Sequence, residues 1–208
     1  MKTPMAMSQV VEPKVKRRIF GSGRGSLFTP TDFADLGGRD AVDKALSRMA
    51  AQGVIRRLAR GLYDYPEVHK VLGPLHPAPE AVARALAQRD AVRHQPAGAY
   101  AANLLGLSEQ VPARIVFLTD GPARTVKLGP MVIVLRRTTP RNMATAGRLS
   151  GLLIQAFRYM GKAHIQPEHI RRLRKSLPEK ERRALLRDLR YAPEWMRPLF
   201  RALAASER

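Results

Sequence analysis

Seven donor side chains crowd the stretch from residue 39 to residue 60: Arg39, Lys44, Ser47, Arg48, Arg56, Arg57 and Arg60. A guanidinium is a permanently charged planar fork that can bond two acceptors at once, an ammonium is a compact point charge, and a hydroxyl both donates and accepts. Such groups suit the edges of base pairs in the DNA major groove and the oxygens of the flanking phosphates. They make no nucleophile and base pair and no metal-ligand set, so the chemistry they imply is binding rather than bond breaking.

Presenting them requires a helix that fits the groove and a ribbon that lies beside it. Thr29 before Pro30 predicts a helix N-cap and a proline at the first helical position, with Asp32 meeting the positive end of the helix. Phe33 and Leu36 share the face of this short helix. Gly37-Gly38 ends it, an effect the sequence attributes to glycine's freedom at positive φ. Val42, Ala45, Leu46 and Met49 then recur at helical spacing, which buries one face and turns Arg39, Asp40, Asp43, Lys44, Ser47 and Arg48 outward. Gly53 stands at the C-terminal cap position. Beyond it, Val54–Leu58 and Leu62–Asp64 read as strands joined by Ala59-Arg60-Gly61, a hairpin with Arg60 at its tip. The whole segment reads as a winged helix-turn-helix, with the reading helix over Arg39 to Gln52 and the wing over Val54 to Tyr63. Residues 1–12 read as a flexible start. Pro13 to Phe20 is expected to form a supporting helix with Val15, Ile19 and Phe20 inward, and Ser26–Phe28 a strand pairing with the wing.

Composition agrees with a nucleic-acid partner. The 208 residues carry 37 Lys+Arg against 17 Asp+Glu, a formal charge of +20. Residues 1–66 hold 12 basic and 6 acidic side chains, and residues 67–208 hold 25 and 11, so the longer part is the more basic. The segment from Arg171 to Arg190 alone has nine basic residues against three acidic. That run is either a solvated helix surface or a second phosphate-contacting face. No cysteine is present, which excludes disulfides and cysteine-based zinc sites. No apolar run approaches the ~20 residues of a membrane helix, so no membrane partner and a cytoplasmic location are expected.

An α+β fold of two domains is expected: a DNA-binding domain over 1–66, a Pro- and Gly-rich linker over 67–79, and a mixed domain over 80–208. In the second domain Glu80–Gln88 and Gly98–Leu105 read as helices. Arg114–Thr119, Arg124–Leu128 and Met131–Arg137 read as strands of an antiparallel meander. The apolar run Met131–Leu135 suggests burial on both faces. From Arg148 the pattern is helical, over Leu149–Met160, Pro167–Ser176, Pro178–Arg190 and Pro193–Leu203, with Trp195 anchoring the last helix to the core.

The segment from Gly25 to Pro66, containing FTPTDFADLGGRDAVDKALSRM and VIRRLARGLYDYP, and the downstream block GAYAANLLGLSEQVPARIVFLTDG resemble the AbiEi antitoxins of bacterial type IV toxin-antitoxin systems. The resemblance covers nearly the whole chain. It implies a winged helix that represses its own operon by binding double-stranded operator DNA. It also implies a C-terminal domain that neutralises a nucleotidyltransferase-like toxin, possibly without a stable complex. The family assigns no role to the block from Asn103 to Gly121, and Asn103 reads either as a polar binding residue or as an interior amide satisfying backbone.

Enzymatic readings find little support. The histidines at 69, 76, 94, 164 and 169 have no paired metal-ligand spacing, Ser108 has no glycine elbow, and GSGRGS at 21–26 reads as a flexible turn rather than a phosphate cradle. A metal-dependent nuclease core around Asp120 and Lys127 would need a carboxylate where Thr125 stands, so Asp120 before Gly121 reads as a turn residue. The expected protein is thus not an enzyme and has no catalytic residue, metal or cofactor. Two other readings stay open: an RNA-binding or nucleic-acid-processing protein acting through the basic C-terminal domain, and an interaction module that clamps a toxin directly.

Overall fold

The computed structural model describes residues 4–205, and the chain is an α+β protein. It divides into two compact units, one running to Ala91 and taking in Val126–Pro130, the other made of Val92–Thr125 and the residues from Met131 onward. Among the described residues, no helix is long and apolar enough to cross a membrane.

The first unit begins with α1 (Pro4–Ser22), so most of the segment expected to be flexible is helical, and only its first three residues lie outside the described ones. Pro13 sits inside α1 rather than opening it. An interior proline costs a helix about 3 kcal/mol. Offsetting this, Val11, Val15 and Ile19 recur every four residues and are all buried, and each contributes roughly 1.5–3 kcal/mol. Phe20, expected inward, is instead 45% exposed, because its ring stacks on Tyr65 at 5.3 Å at the edge of the unit.

After β1 (Leu27–Phe28), Thr29 caps a single 3-10 turn, Pro30–Phe33, with the Thr29 N–H donating to Asp32 Oδ2 at 2.6 Å. The next helix, α2 (Arg39–Ala51), buries Val42, Ala45, Leu46 and Met49, as its spacing dictates. Gly37 and Gly38 do not lie at positive φ. Gly37 is required for a different reason: a Cβ there would stand 2.6 Å from Cγ2 of Val11, so α1 could not approach the corner. At the far end of α2, Gly53 at φ +73° donates to Ala50 O and Val54 donates to Met49 O, a Schellman close that turns the chain into the hairpin. That hairpin is β2 (Arg56–Ala59) and β3 (Leu62–Asp64), turned by Arg60-Gly61 with Gly61 at φ +67°. β1 adds to it antiparallel, giving a three-stranded sheet of order β1-β3-β2.

The stretch read as a linker holds a small hairpin, β4 (Val68–His69) with β5 (Gly73–Pro74), and the unit continues through α3 (Pro79–Arg89). The compact unit therefore extends beyond residue 66. Its physical cause is that α3 packs on β1, with Ala85, Gln88 and Arg89 lining one cavity together with Leu27, Thr29, Thr31 and Asp32.

In the second unit β6 (His94–Ala97) leads directly into α4 (Gly98–Leu104). The strands β7 (Arg114–Thr119), β8 (Arg124–Leu128) and β9 (Met131–Arg137) stand where the sequence places them, but they do not form a meander. β7 pairs in parallel with β9, β6 pairs antiparallel with β7, and the sheet order is β6-β7-β9-β8. Burial on both faces of Met131–Leu135 is only half met: Ile133 and Leu135 are buried, while Met131, Val132 and Val134 are half-buried. The short α5 (Pro140–Met143) leads to α6 (Leu149–Met160), α7 (Pro167–Ser176), α8 (Glu179–Ala184) and α9 (Arg197–Ala204). Their core centres on Leu153, Phe157, Leu173, Met196 and Phe200, with Ala101 and Ala102 of α4 giving α6 a close approach and Trp195 packed at its margin.

The corner at Gly37 sets how α1 meets α2. Gly37→Ala is expected to lower unfolding free energy by about 1–3 kcal/mol through overpacking against Val11. Gly21→Ala, where a Cβ meets nothing within 4 Å, should be neutral or slightly stabilising. Chemical denaturation of both variants checks this, and equal effects would contradict it.

Candidate nucleic-acid interface

Burying one side of α2 leaves the opposite side to solvent, and Arg39, Lys44, Ser47 and Arg48 are all exposed there. A shallow groove is lined by Lys44, Ser47 and Arg48 together with Asp40 and Asp43. This face is therefore mixed in sign, and it attracts phosphate only weakly on its own. What it offers is a varied set of donors and acceptors of the kind that distinguishes base edges.

Two of its arginines are engaged. Arg39 Nε donates to Asp43 Oδ2 at 3.0 Å one turn along, and Arg48 Nε lies 2.9 Å from Glu12 Oε2 of α1. Both pairs are solvated, with the Arg39 and Arg48 side chains 65% and 46% exposed. Exposed pairs of this kind contribute about 0–1 kcal/mol, less than the roughly 1–3 kcal/mol of a bidentate contact to guanine, so either guanidinium can exchange its carboxylate for a base.

The hairpin arginines divide. Arg56 and Arg57 are neighbours on β2 and must project to opposite sides of the sheet. Arg57 is exposed, as is Arg60 at the turn. Arg56 faces in, where Nε and Nη2 bond the two oxygens of Asp64, itself only 2% exposed, and Nη2 also donates to the Leu75 carbonyl. It fastens β2 to β3 and to the chain after β5, so it supports the hairpin while Arg57 and Arg60 face solvent.

A residue that sequence reasoning missed completes the arrangement. Arg89, in the last turn of α3, donates from Nη1 to the Arg60 carbonyl at 2.8 Å and to the Gly61 carbonyl at 3.3 Å, while its Nε bonds Asp90 at 3.0 Å. The hairpin turn is thereby held from behind, with its side chain outward. An arginine closing an alanine-rich helix gives no local sign of such a role. Elsewhere in this unit Arg18 donates to both oxygens of Asp35 at 2.6 and 2.7 Å, which holds the Asp35 carboxyl below its ordinary value. Arg24 lies over the Tyr65 ring at 4.6 Å and donates to the Pro66 carbonyl.

Asp120 stands in the bend after β7, and Lys127 lies on β8. Asp120 accepts from the Arg93 backbone N–H and from Arg93 Nε, both at 2.8 Å, and these bonds outweigh the upward push of burial and hold its carboxyl below the ordinary range. Asn103 Nδ2 donates to the Ser108 carbonyl. The basic run from Arg171 to Arg190 is not one surface: Arg182 is buried and donates to the carbonyls of Leu177 and Leu203, and Arg174 reaches the Ala205 carbonyl.

The model of the Family of unknown function (DUF6088) matches residues 14–185, and the chain belongs to that family. No curated protein matches it. It is similar in structure to the RV2827C protein from Mycobacterium tuberculosis, with 17% identity, a TM-score of 0.43, and coverage of 100% of this chain and 84% of that one.

The two kinds of hairpin arginine differ in what their removal does to stability. Arg56→Ala leaves Asp64 buried and unpaired and is expected to cost about 3 kcal/mol. Arg57→Ala and Arg60→Ala should each stay within about 0.5 kcal/mol of the unaltered protein. Thermal or urea unfolding distinguishes them, and a fully stable Arg56→Ala variant would refute the supporting role.

Proposed function

We propose that the chain is a sequence-specific DNA-binding regulator in which α2 enters the major groove and the β2-β3 hairpin acts as a wing along the flanking backbone. The observation that carries this reading is the sidedness of α2. Its apolar face is wholly committed to the core, while Arg39, Lys44, Ser47 and Arg48 stand together on the outer face beside a hairpin that presents Arg57 and Arg60. The 3-10 turn over Pro30–Phe33, the corner at Gly37-Gly38, α2 and a two-stranded ribbon braced by a third strand are compatible with a winged helix-turn-helix, although the first helix expected there is only one 3-10 turn.

Charge supports the same division of labour. On α2 three basic side chains are nearly balanced by Asp40 and Asp43, so its part is base selection. Phosphate attraction falls to the hairpin and to the excess charge of the rest of the chain. Through the resemblance of residues 25–66 and 97–121 to AbiEi antitoxins, the regulated DNA is the chain's own operator in the cytoplasm. The functional partner is then a nucleotidyltransferase-like toxin, opposed without a stable complex, and the chain itself is not an enzyme.

Arg48→Ala should weaken binding to the duplex upstream of the chain's own reading frame by about 1–3 kcal/mol while leaving random duplex binding nearly unchanged. Arg60→Ala should weaken both alike and lower the salt slope by about 1. Titrations of both duplexes at several salt concentrations check this, and equal losses on both duplexes for Arg48→Ala would contradict the assignment of α2.

A further inference from the structure

Between Asp120 and Glu168 the sequence has no carboxylate at all, yet it holds eight Lys and Arg residues. Part of this stretch forms a cleft of about 440 Å³ in the second unit, lined by Arg136, Thr138, Asn142, Gln155, Arg158 and Tyr159 with Leu118 and Gly98 behind them. Leu118 and Arg136 are register partners near the carboxyl ends of the parallel strands β7 and β9. Crevices at the carboxyl ends of parallel strands are a recurrent place for ligands.

Three features make this a built site rather than a basic surface. Asn142 Nδ2 donates to Thr138 Oγ1 at 2.9 Å, and Asn142 Oδ1 accepts from Arg158 Nη1 at 2.9 Å, so a relay of neutral groups fixes the Arg158 guanidinium without neutralising it. Gln155 is 8% exposed and lines the cleft, and an amide carries both a donor and an acceptor. Tyr159 is 56% exposed beside it, an aromatic face held at the surface of a helix whose other side is core. The groove along α2 contains Asp40 and Asp43, whereas no carboxylate lines this cleft.

We propose that this cleft binds a single-stranded nucleic-acid segment: Arg136 and Arg158 take a phosphate, one unpaired base stacks on Tyr159, and Gln155 meets a base edge. Guanidinium groups select an anion, an exposed ring selects a planar apolar partner, and an amide selects a group that both donates and accepts. A nucleotide combines all three. The cleft has room for about one nucleotide, and stacking needs a base free of its own duplex, so the occupant is a single strand. Duplex binding at α2 is a separate activity.

The test is fluorescence anisotropy of the full chain with labelled single strands of about twelve nucleotides, as RNA and as DNA of the same sequence, at near-physiological salt. Tyr159→Ala and Arg158→Ala are each expected to weaken single-strand binding about tenfold. Tyr159→Phe should retain it, which separates loss of stacking from loss of fold, and Lys175→Ala, which removes one exposed charge outside the cleft, should leave it unchanged. Tighter binding of RNA than DNA would identify a contact to the 2′-hydroxyl, and equal binding a site that reads only phosphate and base; both support the cleft. Tyr159→Ala binding single strands as the unaltered protein does, or an equal loss produced by Lys175→Ala, would overturn it.

Discussion

An arginine cannot shed its charge when it is buried, so in a chain with 37 Lys+Arg and only 17 Asp+Glu an inward guanidinium is costly unless acceptors meet it. Arg56 meets that constraint with Asp64 and the Leu75 carbonyl, and Arg182 with backbone carbonyls alone. Among the described residues the buried carboxylates are Asp64 and Asp188, and most of the other ion pairs lie at the surface. The excess of basic over acidic side chains therefore stays at the surface. Arg56 and Arg57 show both outcomes in adjacent residues: one holds the hairpin together and the other faces solvent.

The same constraint shapes the two candidate surfaces differently. Along α2 the acids stay on the outer face, paired loosely enough to yield to a base, and the result is a surface suited to discrimination. Around Arg158 the partner is a neutral amide, which orients the guanidinium and leaves its charge intact.

Much of this was legible in the sequence, and the failures have physical causes. The spacing of Val42, Ala45, Leu46 and Met49 and the cap at Gly53 fixed α2, because a helix with one apolar stripe has one way to bury it. Strands 114–119, 124–128 and 131–137 were readable from β-branched runs and turn residues, but their pairing was not, since alternation does not say which neighbour a strand will find. The unbroken apolar run at Met131–Leu135 was the signal for a parallel partner. His94–Ala97 went unread because it has no β-branched residue and contains Pro96. Pro13 and Phe20 were misplaced because tertiary packing in α1 overrides one and an aromatic contact with Tyr65 holds the other outside. Arg56 could have been separated from Arg57 by strand alternation alone; Arg89 could not, since its role depends on where α3 ends.

The most direct test of DNA selection by this surface is the affinity of the purified chain for its own upstream duplex against a scrambled duplex of the same length and composition, at near-physiological salt. Nonspecific phosphate attraction is damped under those conditions. A preference of about a hundredfold or more is predicted. Equal, weak binding to both duplexes that disappears as salt is raised would contradict it.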